Sequence, residues 1–266
     1  MFFNKKLIPL IFLILLVILK TNSGPTNKVL VAPLHIPIPL NSVHAPILVY
    51  HYVEYVTDER DTIRKSLNIL PYIFIRQIET LKNAGYTFIT ASELIDIMDG
   101  ITHAPKKPVL ITFDDGYRDF YTDVFPILKK YNIRATAYII SGFLDKLNYM
   151  FTSQLEEIAK SGLVEIGAHT VHHYSLEGLN LETAKYEIEE SKKNLEEIIN
   201  KPVVSFAYPD GSFDDQAIKL VREAGFKSAV TTREGFEVNQ NNKYSIYRLH
   251  PGHKIDNFLL NFLEQK

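Results

Sequence analysis

Cysteine is absent from all 266 residues. That removes disulfides, zinc–thiolate centres and thiol nucleophiles together, so any bound metal must sit on His, Asp or Glu. An excess of positive charge is missing too. The 29 basic and 31 acidic residues leave a formal net charge of -2, which gives a protein no means of tracking a phosphate backbone and excludes nucleic acid as an expected partner. No glycine-rich loop follows any apolar run, which argues against a nucleotide-binding doubly wound sheet, and no internal repeat stands out. The length suits one large domain, and a single α/β barrel is ordinary at this size.

Long apolar runs are scarce. The longest, Leu7 to Leu19 within "MFFNKKLIPLIFLILLVILK", is shorter than the roughly 17–25 residues of a spanning helix. Lys5 and Lys6 precede it in the charged-then-apolar order of a secretion signal. No small-x-small cleavage site follows in "KTNSGPT", so residues 1–24 are read as a signal peptide or an N-terminal membrane anchor, with residues 7–19 as the attachment. Either way the protein is expected to be exported, extracellular or at the cell surface. Prolines between Thr21 and Pro46 mark residues 25–44 as an extended linker, which leaves 45–266 as the catalytic domain.

In that domain, short apolar runs alternate with helical patterns. "PILVYHYV" precedes a helix in which Phe74, Ile78 and Leu81 recur at helical spacing up to Gly85. "YTFIT" leads into a capping box from Thr90 to Glu93. "PVLITF" precedes a helix near Val124 to Tyr131, with Pro126 at its start or at a kink, and "ATAYII" one near Phe151 to Lys160. "LVEIGA" precedes a long helix with Leu181, Ala184, Ile188, Leu195 and Ile198 on one stripe. "VVSFAY" precedes a helix with Ser212 as candidate cap. "FKSAVT" and "YSIYRL" are further strands, and Ile255 to Leu263 is a last amphipathic helix. Such alternation predicts a mostly parallel sheet with helices outside, and seven or eight units suggest closure into a (β/α) barrel.

Chemistry in such a barrel collects at the carboxyl ends of the strands. "VLITFDDGYRDF" (109–120) ends a run that looks fully buried on Asp114 and Asp115, a like-charged pair that needs a cation or strong donors to stay ionised. His51 ends the first strand, His169 opens "HTVHH", and "YPDG" follows "VVSFA". One carboxylate with His169 and His173, four residues apart, is a set that binds a divalent ion and leaves positions open for water and substrate. His172 offers a competing register. The cation would keep the second aspartate ionised as a base.

"TFDDG" (112–116), "HTVHH" (169–173) and "FAYPDG" (206–211) resemble, in order and spacing, three motifs of the polysaccharide deacetylases, the NodB-homology or carbohydrate esterase family 4 group. The likeness runs from Ala45 to the C-terminus. It implies a distorted (β/α) barrel of NodB-homology type that hydrolytically removes acetyl groups from an N-acetylglucosamine-containing polysaccharide. It also implies Asp114 as general base and Asp115, His169 and His173 as ligands of a divalent metal, zinc by default with Co2+ or Ni2+ as alternatives. Tyr208, Pro209 and Asp210 fall in the third motif and are expected at the substrate, the Asp210 N–H facing the oxyanion. For the general acid, "YRLHPGH" offers His250, whereas "PILVYHYV" looks like the first strand of the circularly permuted subgroup that deacetylates poly-β-1,6-N-acetylglucosamine, which favours His51. Two departures stand out: Ala207 occupies the position where the family carries an Arg that orients the base, and Asp210 replaces a Tyr. Arg118, Arg134 and Arg248 are the substitutes for that Arg. The rival readings are an O-acetyl esterase on acetylated xylan or another glycan, a sugar-binding pseudoenzyme at the cell surface, and a metal phosphoesterase, which would want more ligands for a second metal.

Overall fold

The computed structural model describes residues 42–56, 58 and 60–264. The leader and nearly all of the linker read from the sequence lie outside the described residues. No helix among the described residues is long and apolar enough to cross a membrane.

In chain order the strands are β1 (Ile47–Tyr50), β2 (Tyr52–Val53), β3 (Asn68–Ile69), β4 (Thr87–Ile89), β5 (Pro108–Phe113), β6 (Ala135–Ile139), β7 (Val164–Ala168), β8 (Ser205–Ala207), β9 (Ser228–Glu234) and β10 (Ile246–Arg248). The helices are α1 (Thr62–Leu67), α2 (Pro71–Asn83), α3 (Ala91–Met98), α4 (Phe125–Tyr131), α5 (Thr152–Lys160), α6 (Leu181–Ile199), α7 (Asp215–Glu223) and α8 (Asp256–Leu263). The main sheet runs β1-β5-β6-β7-β8-β9-β10, with β4 against the first half of β5, and all of these named pairings are parallel. Its two ends meet. The Val49 N–H donates to the Leu249 carbonyl at 3.0 Å and the Leu249 N–H to that of Ile47 at 2.7 Å, so the sheet nearly closes into a barrel with helices outside. β2 and β3 form a separate parallel pair.

Because side chains alternate across a strand, each strand feeds two cores. Val109, Ile111 and Phe113 of β5 join the large outer core under the helices, as do Ile166, Phe206 and Ala229. Leu110 joins the smaller inner core with Ile47, Tyr138, Ala207, Val230 and Ile246. Val43 and Ala45 also pack there, so the folded unit takes in the last residues assigned to the linker. The amino end of the barrel is plugged by the start of α3. The Ala91 N–H donates to Thr136 Oγ1 at 3.0 Å and the Ser92 N–H to Glu165 Oε2 at 2.8 Å, so a carboxylate sits where the helix dipole favours negative charge.

One local expectation changes and one is refined. The cap of α7 is Asp214, which accepts from the Ala217 N–H at 2.8 Å, while Ser212 donates its hydroxyl to Glu177 instead. Ahead of α4, residues 120–124 form one wide π turn, closed by the Phe125 N–H on the Phe120 carbonyl. Pro126, which has no N–H to offer, then stands in the first turn of α4, at the helix start that the sequence predicts.

Candidate active site

On β5 the inward phase is Leu110, Thr112, Asp114, so strand geometry aims Asp114 into the barrel mouth. Asp115 and Gly116 then take left-handed backbone, φ 74° and 79°. This turns Asp115 off the strand line towards the end of β7.

Asp114 meets Arg248, the last residue of β10 and fully buried. The guanidinium binds it in bidentate fashion, Nη1 to Oδ1 at 2.7 Å and Nη2 to Oδ2 at 2.6 Å. Nη1 also donates to Thr112 Oγ1 at 3.1 Å and Nε to the Thr231 carbonyl at 2.7 Å. Burial alone would raise the Asp114 pKa, but Arg248 overrides it and holds the carboxyl well below the usual carboxylate range. Of the three candidate arginines, Arg248 is the one that pairs with Asp114. Arg134 pairs with Glu93, and Arg118 donates to the Tyr149 carbonyl and lies over the Phe151 ring.

Asp115, His169 and His173 converge. Asp115 Oδ1 lies 3.3 Å from His169 Nε2 and 3.4 Å from His173 Nε2, and the three donor atoms fall within 4.8 Å of one another. Donors of a tetrahedral zinc centre, bound at about 2.0–2.1 Å, stand about 3.3 Å apart. Asp115 Oδ1 is buried without a hydrogen-bond partner, a costly state unless something else satisfies it. His169 Nδ1 lies 2.8 Å from the Ala207 carbonyl, which fixes the tautomer that turns the Nε2 lone pair inward. The set therefore fits a divalent cation, with an imidazole-rich donor set that suits zinc, cobalt or nickel. Burial disfavours charge on His169, but Asp115 and Asp114 outweigh it and raise its pKa. Burial and then the neighbouring His169 lower that of His173.

His172, the rival register, faces away: its Nδ1 lies 2.7 Å from Glu187 Oε1 on α6. Glu187 Oε2 also accepts the N–H groups of Val171 and His172, at 2.9 and 2.8 Å. The sequence reading missed Glu187, although its signal was present as one acidic residue in the buried stripe Ala184, Glu187, Ile188, Ser191, Leu195. Asp119, on the turn after the aspartates, was missed as well. Its Oδ2 accepts the Val53 N–H at 2.7 Å.

Both candidate acids border one cavity of about 150 Å³ that also involves Lys65, Asn68 and His253. His51 is half-buried and stands near enough to Asp114 and Asp115 that a positive charge on it would favour their ionised forms. His250 Nδ1 lies 3.5 Å from Glu234 Oε1, and burial followed by Arg248 lowers its pKa.

The third motif divides. Tyr208 is not brought to the group. It follows Phe206 in the outward phase of β8, is fully buried, and donates its hydroxyl to the Tyr244 carbonyl at 3.0 Å. Pro209 is buried. Asp210 is exposed with left-handed backbone, φ 57°, and its charge acts on His173. Gly211 beyond it is required, since a Cβ there would lie 2.1 Å from Thr232 Oγ1.

Residues 102–229 match the family model described as polysaccharide deacetylase. That span holds both aspartates, His169, His173 and Glu187, while His51 and Arg248 come from outside it. Among curated proteins, the poly-beta-1,6-N-acetyl-D-glucosamine N-deacetylase of Staphylococcus aureus is 29% identical over 198 residues, covering 70% of this chain and 68% of that protein. Among solved structures, the Streptococcus pyogenes deacetylase PplD in complex with acetate superimposes with a TM-score of 0.78 at 29% identity, covering 85% of this chain and 100% of that one. IcaB from Ammonifex degensii gives 0.70 at 26% identity, covering 80% and 94%.

Proposed function

The chain carries a polysaccharide deacetylase domain, and from that premise we propose that it is a metal-dependent hydrolase removing N-acetyl groups from N-acetylglucosamine units of an extracellular or cell-wall polysaccharide. The observation that carries this reading is the triangle of Asp115, His169 and His173 donors beside a buried, arginine-held Asp114. A divalent cation held by those three residues supplies Lewis acidity and lowers the pKa of water by several units. Asp114, kept ionised by Arg248, accepts a proton as water oxygen bonds to the acetyl carbon. The Asp210 N–H is assigned to the developing oxyanion, a donor role worth roughly 3–4 kcal/mol where measured. His51 delivers a proton to the sugar nitrogen as the C–N bond breaks, so acetate and a free amine leave. His51 is preferred to His250 because it ends the first strand, the position from which the permuted subgroup that this chain resembles supplies its acid, and because it stands near both aspartates. Export, read from Lys5, Lys6 and the apolar run 7–19, would bring the site to such a polymer.

The test is acetate release, with zinc or cobalt added, from poly-β-1,6-N-acetylglucosamine oligomers, chitin oligomers, peptidoglycan and an acetylated xylan in parallel. Release from the β-1,6 oligomers is expected. Asp114→Asn should keep metal but lose on the order of 10²–10⁴ in rate, and His169→Ala should lose both metal and rate. A fully active Asp114→Asn protein would refute the assignment of the base. Release only from an acetylated xylan would move the reading to an O-acetyl esterase.

A further inference from the structure

We propose that Glu187 is a positioning residue that selects which two of the three histidines in "HTVHH" face Asp115. The inference rests on reading Asp115, His169 and His173 as a metal site. Glu187 is 1% exposed and lies on the inward face of α6. Its two oxygens take three donors from the segment between the ligand histidines: the Val171 N–H, the His172 N–H and the His172 ring nitrogen. A buried carboxylate is costly unless hydrogen-bonded, and here all of its described partners lie on that one loop.

The loop needs such a hold. Thr170 and His173 both sit at positive φ, 62° and 61°, unfavourable for residues with a Cβ and most of all for a β-branched one. Strained backbone of this kind persists only where its surroundings over-determine it. The constraints come from two sides. From the β6 side, the Ser141 and Gly142 N–H groups donate to the Thr170 and Val171 carbonyls at 3.1 and 3.0 Å. From the α6 side, Glu187 takes the N–H groups of Val171 and His172. Within the loop, Thr170 Oγ1 accepts the His173 N–H at 2.9 Å. With His172 drawn towards α6, His173 Nε2 is left to face Asp115, 3.4 Å away.

Two variants test this, because removing the whole carboxylate risks the fold. Glu187→Gln keeps the shape but replaces charge-assisted hydrogen bonds by weaker neutral ones and meets the His172 ring only in the tautomer whose Nδ1 accepts; Glu187→Ala removes all three contacts. The readouts are calorimetric titration with Zn2+ and the d–d absorption spectrum of the Co2+ form, in folded protein checked by circular dichroism. Zn2+ binding about 10-fold weaker in Glu187→Gln and up to about 100-fold weaker in Glu187→Ala is expected, the range found when groups supporting metal ligands are removed. The cobalt spectrum should change. A merely structural role would lower the melting temperature and leave the spectrum of the folded fraction unaltered. Wild-type affinity and an unchanged spectrum in Glu187→Gln would overturn the proposal. His172→Ala should bind Zn2+ within about threefold of wild type, and a loss as large as that of His169→Ala would overturn the choice of register. If wild type binds no metal that His169→Ala abolishes, the metal reading itself fails, a result distinct from a failure of the clamp.

Discussion

Asp119 takes a carboxylate into the interior with only half of it satisfied. Oδ2 accepts the Val53 N–H, whereas Oδ1 is buried without a hydrogen-bond partner. Burial, with Glu54 adding to it, pushes this carboxyl up from 3.8 to about 7. A folded-state pKa above the unfolded one means that the proton favours the native state. The contribution is full below about pH 4 and is lost as pH rises through 7. Asp119→Asn mimics the protonated group, so the variant should match wild type near pH 4 and gain on it up to about pH 7. Melting temperatures of both proteins from pH 5 to 8 check this, and a difference constant with pH would refute it. The residues readable in the sequence were those whose charge interrupts an apolar strand, Asp114 and Asp115, or whose spacing fits a ligand set, His169 and His173. Asp119 looks like an ordinary surface acid in a string, and Glu187 shows only as one acid within the apolar stripe of its helix. Their roles come from burial, which the surrounding turn and helix stripe impose.

Elements were legible where local chemistry alone decides them. The Thr90 capping box is present, with Thr90 N–H on Glu93 Oε2 at 2.9 Å, because both partners lie within one turn of chain. The α7 cap is Asp214 and not Ser212 because the helix begins at Asp215, so Asp214 is the residue whose carboxylate reaches the Ala217 N–H. The turns at the two ends of the barrel differ in what they support. α3 plugs the amino end, and Thr90→Ala should cost about 1 kcal/mol of stability with Zn2+ affinity unchanged. At the carboxyl end, the turn after β6 packs directly on the segment between His169 and His173, where a Cβ at Gly142 would lie 2.5 Å from the Val171 carbonyl oxygen. Gly142→Ala should therefore displace the segment between His169 and His173 and weaken Zn2+ binding about 10-fold or more. Thermal melts and zinc titrations on both variants make the comparison. Equal effects on metal affinity would show that the barrel does not separate its two ends.

Across the whole molecule, the alternating pattern of apolar runs and helices was enough to predict a parallel barrel, while the pairing that closes it was not legible. Arg248 and Asp114 are 134 residues apart, and no periodicity in the chain links them. They meet because β10 returns beside β1, and β1 lies beside β5. Closure of the barrel thus delivers the guanidinium that pairs with Asp114. The pair is fully desolvated, so removing one partner leaves an uncompensated buried charge, a loss of about 3–5 kcal/mol. Arg248→Met should destabilise by that amount and suppress turnover. Asp114→Asn added to it removes the stranded charge, so the double variant should be more stable than Arg248→Met alone. Urea unfolding of the two single variants and the double variant measures this coupling. Simple additivity of their losses would mean that Arg248 holds the barrel together by packing and that its charge pairing with the base contributes nothing to closure.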